Sequence, residues 1–169
     1  MNDPVLLTGA GGHVGQVILD GLREEYDWRL MFHSEPAEEP EFPYWTGEVQ
    51  DYDDVAPAAE GVGAIIHLAG DPRPSAPWKS VLNNNIDGTH TLYEVAVDEG
   101  VEKVVYASSN HAVGAFETDE RTPEMYRAHD TDRLDGTELP RPGNKYGISK
   151  ATGEIIGRYY HDEHDLSVC

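Results

Sequence analysis

Three glycines that follow a short apolar run constrain the fold of this chain more than any other feature. They are Gly9, Gly12 and Gly15, and they close the segment VLLTGAGGHVG at residues 5–15. Gly9 would allow a tight turn, Gly12 would let the backbone approach a pyrophosphate, and Gly15 would let a helix pack closely on the strand. Phosphates bind readily at such a helix N-terminus. The spacing G-x-x-G-x-x-G differs from the commonest dinucleotide fingerprint, so the segment alone is equally consistent with a turn that binds no ligand.

Apolar segments of strand length alternate with helical patterns along the chain. Strands are predicted at residues 4–8, 27–32, 44–49, 63–68, 103–109 and 166–169. Strands that alternate with helices form parallel sheets, so we predict an α/β fold with a doubly wound, Rossmann-like parallel sheet. The first helix is expected to bury one apolar face, made of Val14, Val17, Ile18 and Leu22. A single long helix is expected over residues 78–99.

The charge of the chain limits its partners. Acidic residues number 32 and basic residues 12, which gives a formal net charge of −20. Such a surface repels nucleic acid and anionic lipid, so neither is an expected partner. An acid excess with few lysines fits a halophilic protein in a salt-rich cytosol, although any acidic globular protein would share it.

The sequence carries no pattern that would direct the chain to a membrane. No window of about 18 apolar residues occurs, and no basic segment followed by an apolar stretch opens the chain. We therefore expect a cytoplasmic protein. Cys169 is the only cysteine, so no internal disulfide can form. The run HDEHD at residues 161–165 lies at a polar helix end without a further ligand in view, and we expect no metal site.

The end of the second predicted strand bears on the choice between NAD and NADP. An acidic residue is expected there, about 20 positions past the glycines, to bind the adenosine ribose. The sequence has Ser34 and Glu35 at this place. Glu35 would bind the ribose hydroxyls and favour NAD, whereas Ser34 would tolerate the 2′-phosphate of NADP. No arginine or lysine stands nearby to pair with a phosphate, so NAD is favoured and NADP stays open.

One polar residue interrupts the apolar stripe of the helix predicted at 78–99. Asn85 lies among apolar side chains at helical spacing. A buried amide costs about 1 to 3 kcal/mol unless it is hydrogen-bonded, so Asn85 should have a fixed partner. Two roles stay open for it: a position near the active site, or a plain hydrogen bond from helix to loop.

Tyr146 and Lys150 form a Y-x-x-x-K pair, which places a phenol and an ammonium on one helical face. A tyrosine becomes a useful base when a neighbouring cation stabilises its phenolate. Tyr146 would then take a proton from a substrate hydroxyl while hydride leaves the same carbon for the cofactor, and Ser109 would hold the substrate oxygen. Because a Y-x-x-x-K pair is common by chance, the alternative to a catalytic role is a surface cation that lies near an aromatic ring. The place of the pair after a strand that ends in two serines favours catalysis.

Two features around this pair are expected to shape a site. Gly153 and Gly157 continue the helical face of Tyr146, which predicts a groove poor in side chains. The stretch at 115–144, rich in proline and charge, is too long for a simple connection and is predicted to be a functional excursion near the site.

Five motifs in this order resemble the extended short-chain dehydrogenases/reductases, in the branch of the NAD-dependent epimerases and dehydratases. They are TGAGGHVG at 8–15, HLAG at 67–70, NNIDGT at 84–89, SSNH at 108–111 and YGISK at 146–150. The resemblance implies that Ser109, Tyr146 and Lys150 are catalytic and that Asn85 helps to orient the lysine. It also implies an NAD site along the glycine turn and the strand ends. That site consists of Gly9, Gly12, His13, Val14, Gly15, Glu35, Glu48, Val49, Leu68, Ala69, Gly70, Tyr146 and Lys150.

Within this branch, ASSNH followed by LPRPGNKYGISK is similar to the uronate dehydrogenases and, more closely, to the haloarchaeal NAD-dependent glucose-6-phosphate dehydrogenases. Such enzymes oxidise the C1 hydroxyl of a sugar to a lactone. The likeness implies that Ser109, Asn110 and His111 bind a small-molecule sugar substrate, with glucose 6-phosphate favoured. A uronate dehydrogenase, a nucleotide-sugar epimerase or dehydratase, and a non-catalytic dinucleotide sensor stay open. Two departures from the family are the missing aspartate at the second strand and Glu48 in place of an adenine-contacting aspartate.

The resemblance also sets expectations for the whole molecule. Members of the family continue past a sixth strand into a substrate-binding lobe, so residues 1–169 are expected to be one incomplete NAD(P)-binding domain. The helices predicted at 78–99 and 146–160 resemble the helices of the family's dimer, and a full-length chain is expected to be a homodimer.

Arg73 is a further candidate for substrate binding. It is the only basic residue between Leu30 and Lys79, and it lies in a proline-rich loop after the fourth predicted strand. The ligand crevice of such a sheet opens at that edge. Arg73 would bind an anionic substrate there, or it would form a surface ion pair with Asp71, and the two interpretations stay equally open.

Overall fold

A six-stranded parallel sheet with helices on both faces forms the structure, a computed structural model that describes residues 3–118, 134 and 136–169. The strands are β1 (Val5–Thr8), β2 (Trp28–Phe32), β3 (Tyr44–Thr46), β4 (Ala64–His67), β5 (Lys103–Tyr106) and β6 (Ser167–Val168). Their spatial order is β3-β2-β1-β4-β5-β6, and every pairing is parallel. The predicted doubly wound fold is confirmed. The order reverses between β1 and β4, which is where ligands bind in such sheets.

The helices cover the two faces of the sheet unequally. They are α1 (His13–Leu22), α2 (Tyr52–Ala59), α3 (Trp78–Ser80), α4 (Gly88–Asp98) and α5 (Lys145–His164). The larger core lies between the sheet and the helices α2, α4 and α5, where Leu6, Ile65 and Val104 are fully buried. The smaller core lies on the side of α1 and includes Leu19 and Trp28.

The carboxyl ends of three adjacent strands lie in register. Thr8 of β1 pairs with His67 of β4, and His67 pairs with Tyr106 of β5. Because residues in register on parallel strands point to the same face, these three side chains form a row across the sheet. All three are buried, at 0%, 1% and 8% exposure. The row lies directly below the edge at which the glycine turn begins.

The predicted buried face of α1 is wrong for three of its four residues. Val14, Val17 and Leu22 are 56%, 58% and 39% exposed, whereas Gly15 and Leu19 are buried and Ile18 packs against the core as predicted. The cause is the close approach of the helix to its strand, because a Cβ at Gly15 would lie 2.8 Å from the carbonyl oxygens of the preceding turn. This approach turns the side of the helix that carries Gly15 and Leu19 toward the sheet.

The long helix predicted at 78–99 is present but is not uniform. A π-helical segment, Val81–Asp87, separates α3 from α4. π-helical segments are rare in proteins, and a large share of those that occur lie at functional sites. Asn85 lies in the π-helical segment and is 2% exposed. The irregular helix therefore coincides with the polar residue that interrupts the apolar stripe.

The prediction of a groove beside Gly153 and Gly157 is also wrong. A Cβ at Gly153 would overlap the phenol of Tyr106, and a Cβ at Gly157 would lie 2.6 Å from the phenolic oxygen of Tyr93. The two glycines therefore let α5 pack on two buried aromatic rings, which fill the space. The helix buries this side and leaves Ile155 64% exposed on its outer side.

The excursion predicted at 115–144 falls mostly outside the described residues. Its first residues belong to a 3-10 helix, Asn110–Thr118, that follows β5. Residues 119–133 and 135 are outside the described part of the chain, so the predicted excursion is not tested. Within the described ranges, no helix combines the length and apolar character needed to cross a bilayer, and no cluster of metal-ligating side chains occurs.

Candidate active site

A cavity of about 660 Å³ opens at the carboxyl ends of β1, β2, β4 and β5. This volume is typical of sites for small molecules and cofactors. Its wall includes most residues predicted to bind NAD. They are Gly9, Gly12, His13, Val14, Gly15, Glu48, Val49, Leu68, Ala69, Gly70, Tyr146 and Lys150. The fold therefore brings together positions that lie up to 141 residues apart in the sequence.

The glycine turn has the geometry that a dinucleotide requires. Gly9 has a φ of 70°, and a Cβ there would lie 2.8 Å from the backbone nitrogen of Ala69. Gly12 precedes α1 with extended backbone and offers no side chain to cap the helix. The first N–H groups of α1 are therefore left for a ligand at the positive end of the helix dipole. His13, the first residue of α1, also lines the cavity. These residues fit the pyrophosphate of NAD.

The far end of the cavity carries two titratable side chains. His33, which follows β2, lies with its Nδ1 3.4 Å from Oε2 of Glu48, and both residues line the cavity. Glu35, predicted to bind the ribose, is exposed outside the cavity wall and accepts a hydrogen bond of 3.3 Å from Thr46. The role of Glu35 stays a prediction.

Tyr146 and Lys150 share the cavity wall on the first turns of α5. The Lys150 ammonium donates a 2.7 Å hydrogen bond to the carbonyl oxygen of Ala107 and lies 5.7 Å from the centre of the Tyr146 ring. Burial lowers the pKa of Lys150 to about 8. Lys150 thus stays mostly protonated at neutral pH, as a cation that stabilises a phenolate must be. Asn144 caps α5 by accepting a hydrogen bond from the backbone N–H of Gly147.

Asn85 connects a loop of the cavity to the helix that carries this pair. Its Oδ1 accepts a hydrogen bond of 2.7 Å from the backbone N–H of Asp71. Its Nδ2 donates to the carbonyl oxygen of Asp71 and to Oγ of Ser149, both at 3.0 Å. Ser149 in turn donates to the carbonyl oxygen of Tyr146. The two roles left open for Asn85 thus coincide: it makes a helix-to-loop hydrogen bond, and it does so beside the candidate active site.

Arg73 forms the ion pair with Asp71, and the pair is only partly at the surface. The Asp71 side chain is 5% exposed, whereas that of Arg73 is 67% exposed and lines the cavity. Arg73 donates from Nε and Nη2 to the two carboxylate oxygens at 2.8 and 2.6 Å, and Ser80 donates at 2.7 Å. The Arg73 guanidinium holds the pKa of Asp71 well below its usual range. Three guanidinium N–H groups remain for another anion, so the ion pair does not exclude the substrate role.

The residues predicted to bind the sugar ring lie just beyond the cavity wall. Ser109 accepts a hydrogen bond of 3.2 Å from the backbone N–H of His111. His111 Nδ1 is 3.1 Å from Nδ2 of Asn144, and its ring lies 5.7 Å from that of Tyr146. Asn110 is exposed beside them. Among the described residues, the wall of the cavity includes Ser108 but not Ser109, and the catalytic role of Ser109 stays a prediction.

The sequence interpretation missed part of this site. Ser108 lines the cavity and donates a hydrogen bond to Glu154. Asp71 was considered only as a partner of Arg73, although it directly follows Gly70 in the loop after β4. His67 is a buried strand residue whose ring nitrogens connect Thr8 and Thr89 at 2.8 and 3.1 Å. The signal that could have marked Ser108 and Asp71 was their position in the loops that follow β5 and β4.

A family model and several known proteins match the chain that forms this site. The model describes the NAD dependent epimerase/dehydratase family, and it matches residues 5–169. The chain belongs to this family. The resemblance predicted from the sequence is thereby confirmed, and NAD, the predicted cofactor, is the one that the description of the family names.

Individual relatives are sugar dehydrogenases. The chain is 59% identical over 99% of its length to an NAD-dependent glucose-6-phosphate dehydrogenase of Haloferax volcanii. It is 33% identical over 96% of its length to a uronate dehydrogenase of Pseudomonas putida. A crystal structure of a uronate dehydrogenase from Agrobacterium tumefaciens, complexed with NAD, superposes with a TM-score of 0.84 at 29% identity over 99% of the chain. The chain spans 66%, 57% and 59% of the lengths of these three proteins.

Proposed function

We propose that the protein is an NAD-dependent sugar dehydrogenase that oxidises the C1 hydroxyl of glucose 6-phosphate to a lactone. The observation that carries the proposal is the 59% identity to the glucose-6-phosphate dehydrogenase over 99% of the chain. The cavity supports it, because Tyr146 and Lys150 stand on its wall beside the glycine turn. In the balanced reaction the C1 hydroxyl loses a proton, C1 loses a hydride, and a C=O bond forms.

The chain's own residues divide the work of the proposed reaction. NAD, when bound, supplies the acceptor for the hydride. Tyr146 takes the proton of the C1 hydroxyl, and the Lys150 ammonium favours its deprotonated form. Ser109 holds the substrate oxygen, and Asn110 and His111 bind the sugar ring. The N-terminus of α1 binds the pyrophosphate.

Arg73 binds the substrate phosphate in this proposal. Asp71 occupies the Nε and Nη2 edge of its guanidinium, which fixes the orientation of the side chain. The opposite edge keeps two parallel N–H donors, and such a fork matches phosphate oxygens. An arginine held by a buried carboxylate loses less conformational entropy on binding than a free one. We infer that Asp71 orients Arg73 for this contact.

Absorbance of NADH at 340 nm tests the function directly. Purified protein is given NAD and, in separate assays, glucose 6-phosphate, glucose, glucuronate, galacturonate and arabinose. The highest kcat/KM is expected for glucose 6-phosphate, and hydroxylamine should open the lactone product to the hydroxamate of the sugar acid. Glucuronate as the best substrate would make the protein a uronate dehydrogenase, which the structural likeness at a TM-score of 0.84 also supports. No NADH with any sugar would contradict the proposal.

Two variants test the residues assigned to the reaction. Tyr146→Phe should reduce kcat by at least about a hundredfold and leave NAD affinity nearly unchanged, because only the proton acceptor is lost. Tyr26→Phe, at an exposed tyrosine on the connection before β2, is the matched control.

Arg73→Ala should lower kcat/KM for glucose 6-phosphate far more than for glucose, whereas Arg23→Ala, which breaks an ion pair with Glu41, should change neither. An equal loss for both sugars would remove Arg73 from phosphate recognition.

We also propose that the full protein is a homodimer in a salt-rich cytosol. The outer side of α5 exposes Ile148, Ile155 and Tyr159 at 39%, 64% and 57%. Residues spaced by seven and four positions form one apolar stripe on a helix, and such a stripe is suited to pack against a second copy. Light scattering in molar KCl should give the mass of a dimer, and Ile155→Glu should give a monomer. A wild-type monomer would contradict this part of the proposal.

A further inference from the structure

Lys150 is a buried cation that has no carboxylate partner among the residues that the structure describes. It is 6% exposed. It takes part in none of the ion pairs formed within the described ranges 3–118, 134 and 136–169. Because a buried charge is costly unless other groups compensate for the lost hydration, something else must hold the ammonium in place.

Two neighbouring residues at the end of β5 supply that compensation. The carbonyl oxygen of Ala107 accepts a hydrogen bond of 2.7 Å from the Lys150 ammonium. The same ammonium lies 4.8 Å from the centre of the Tyr106 ring, within the distance of about 6 Å at which a cation is attracted to a ring face. The ring of Tyr146 is farther away, at 5.7 Å. Tyr106 is therefore the nearer of the two aromatic partners.

The ring of Tyr106 is fixed from several sides. It is the last residue of β5, 8% exposed and in register with His67, whose ring centre is 5.9 Å away. On the other side, Gly153 of α5 leaves room for the phenol, which a Cβ would overlap. By distance and angle, the phenolic oxygen makes no hydrogen bond to a residue that the structure describes, although the Thr89 side chain is close enough to act on the pKa of Tyr106. The contact between Tyr106 and the Lys150 ammonium is thus made by the ring and not by the hydroxyl.

We propose that Tyr106 is a positioning residue whose ring face holds the Lys150 ammonium at the wall of the cavity. The contact with Lys150 stands independently of the reaction, whereas its value for catalysis rests on the proposed function. His67 on β4 and Tyr146 on α5 also interact with Lys150, and Glu154 follows one helical turn further along α5, where it is exposed. Burial and the charge of Lys150 lower the pKa of His67 to about 3, so His67 is neutral near pH 7 and adds no second cation. Glu154 accepts a hydrogen bond from Ser108.

A series of fluorinated phenylalanines at position 106 tests the contact without removing the ring. Phenylalanine, 4-fluoro-, 3,5-difluoro- and pentafluorophenylalanine have nearly equal volumes but a progressively weaker negative ring face. The protein has four lysines, so 13Cε-labelled lysine gives few NMR signals, and Lys150→Arg identifies that of Lys150. Tyr106→Phe should leave the Lys150 pKa as in the wild type. Across the series this pKa should fall by about 0.5 to 1 unit in total.

Tyr93 provides the matched control. It is buried, contacts Gly157 one turn further along α5, and likewise lacks a partner for its phenolic oxygen among the described residues. The same fluorinated series at position 93 should leave the Lys150 titration unchanged. A Lys150 pKa that stays constant across the series at 106, or that falls equally across the series at 93, would overturn the proposal.

The pH dependence of kcat/KM separates the contact from the proposed reaction. If sugars are oxidised as proposed, the pH profile should move with the Lys150 titration along the series. A profile that stays fixed while the Lys150 pKa falls would overturn the positioning role in catalysis. Absence of any sugar oxidation by the wild type would contradict the proposed function, and the NMR titration alone would then decide on the contact.

Discussion

Replacing Asn85 by alanine removes a single side chain that connects three parts of the candidate site. The amide accepts one hydrogen bond and donates two, at 2.7, 3.0 and 3.0 Å. Its partners are the backbone of Asp71 and the hydroxyl of Ser149, and Asn85 itself is 2% exposed. The variant therefore leaves the backbone N–H and C=O of Asp71 without their partner, and Ser149 loses one hydrogen bond but keeps the one that it donates to Tyr146.

The cost follows from these three contacts. A hydrogen bond contributes about 1 kcal/mol net, and a buried polar atom left without a partner costs about 1 to 3 kcal/mol. Water can reach the Asp71 side of the space through the open cavity, so we expect a loss near the lower bound, about 3 kcal/mol. For a domain of this size that corresponds to a fall in Tm of about 6 to 12 °C. Proper positioning of Arg73 by Asp71 should also suffer, which raises KM for glucose 6-phosphate.

Urea unfolding and thermal melting of Asn85→Ala and Asn83→Ala provide the test. Asn83 lies in the same π-helical segment and takes part in none of the three hydrogen bonds. Its replacement should change the free energy of unfolding by less than about 0.5 kcal/mol. A loss below about 1 kcal/mol for Asn85→Ala, or an equal loss for both variants, would refute the reasoning that Asn85 carries the connection.

Three further predictions concern stability. Burial lowers the pKa of His67 to about 3, so His67 resists protonation in the folded protein. The wild type should therefore lose stability as the pH falls below about 6.5, because the unfolded chain binds this proton more readily. In urea unfolding at pH 5, the loss for the wild type should exceed that for His67→Asn by about 2 kcal/mol. Tyr93→Phe removes a buried phenolic oxygen without a partner among the described residues, so the variant should melt no lower than the wild type, and a loss above about 1 kcal/mol would reveal a partner. The net charge of −20 should make Tm rise with KCl, because salt screens the repulsion between acidic groups, and a Tm indifferent to molar KCl would contradict the halophilic interpretation.

Local geometry explains why much of the site could be predicted from the sequence. Only glycine readily adopts the φ of 70° found at Gly9, so the turn can be recognised without any knowledge of its surroundings. Residues four apart on a helix share a face, so the common face of Tyr146 and Lys150 could be predicted once a helix was predicted there. The order of strands and helices follows from apolar periodicity, and parallel strands place their carboxyl ends at one edge.

Tertiary packing decided the rest, because it depends on contacts between distant residues. Periodicity assigned Val14 and Val17 to the core, but the close approach at Gly15 turned α1 so that both are exposed. The sequence also showed that Asn85 needs a partner and could not name Asp71 and Ser149, which are 14 and 64 residues away. Local patterns determine backbone conformation, whereas the partner of a buried polar or charged group depends on which elements the sheet brings together.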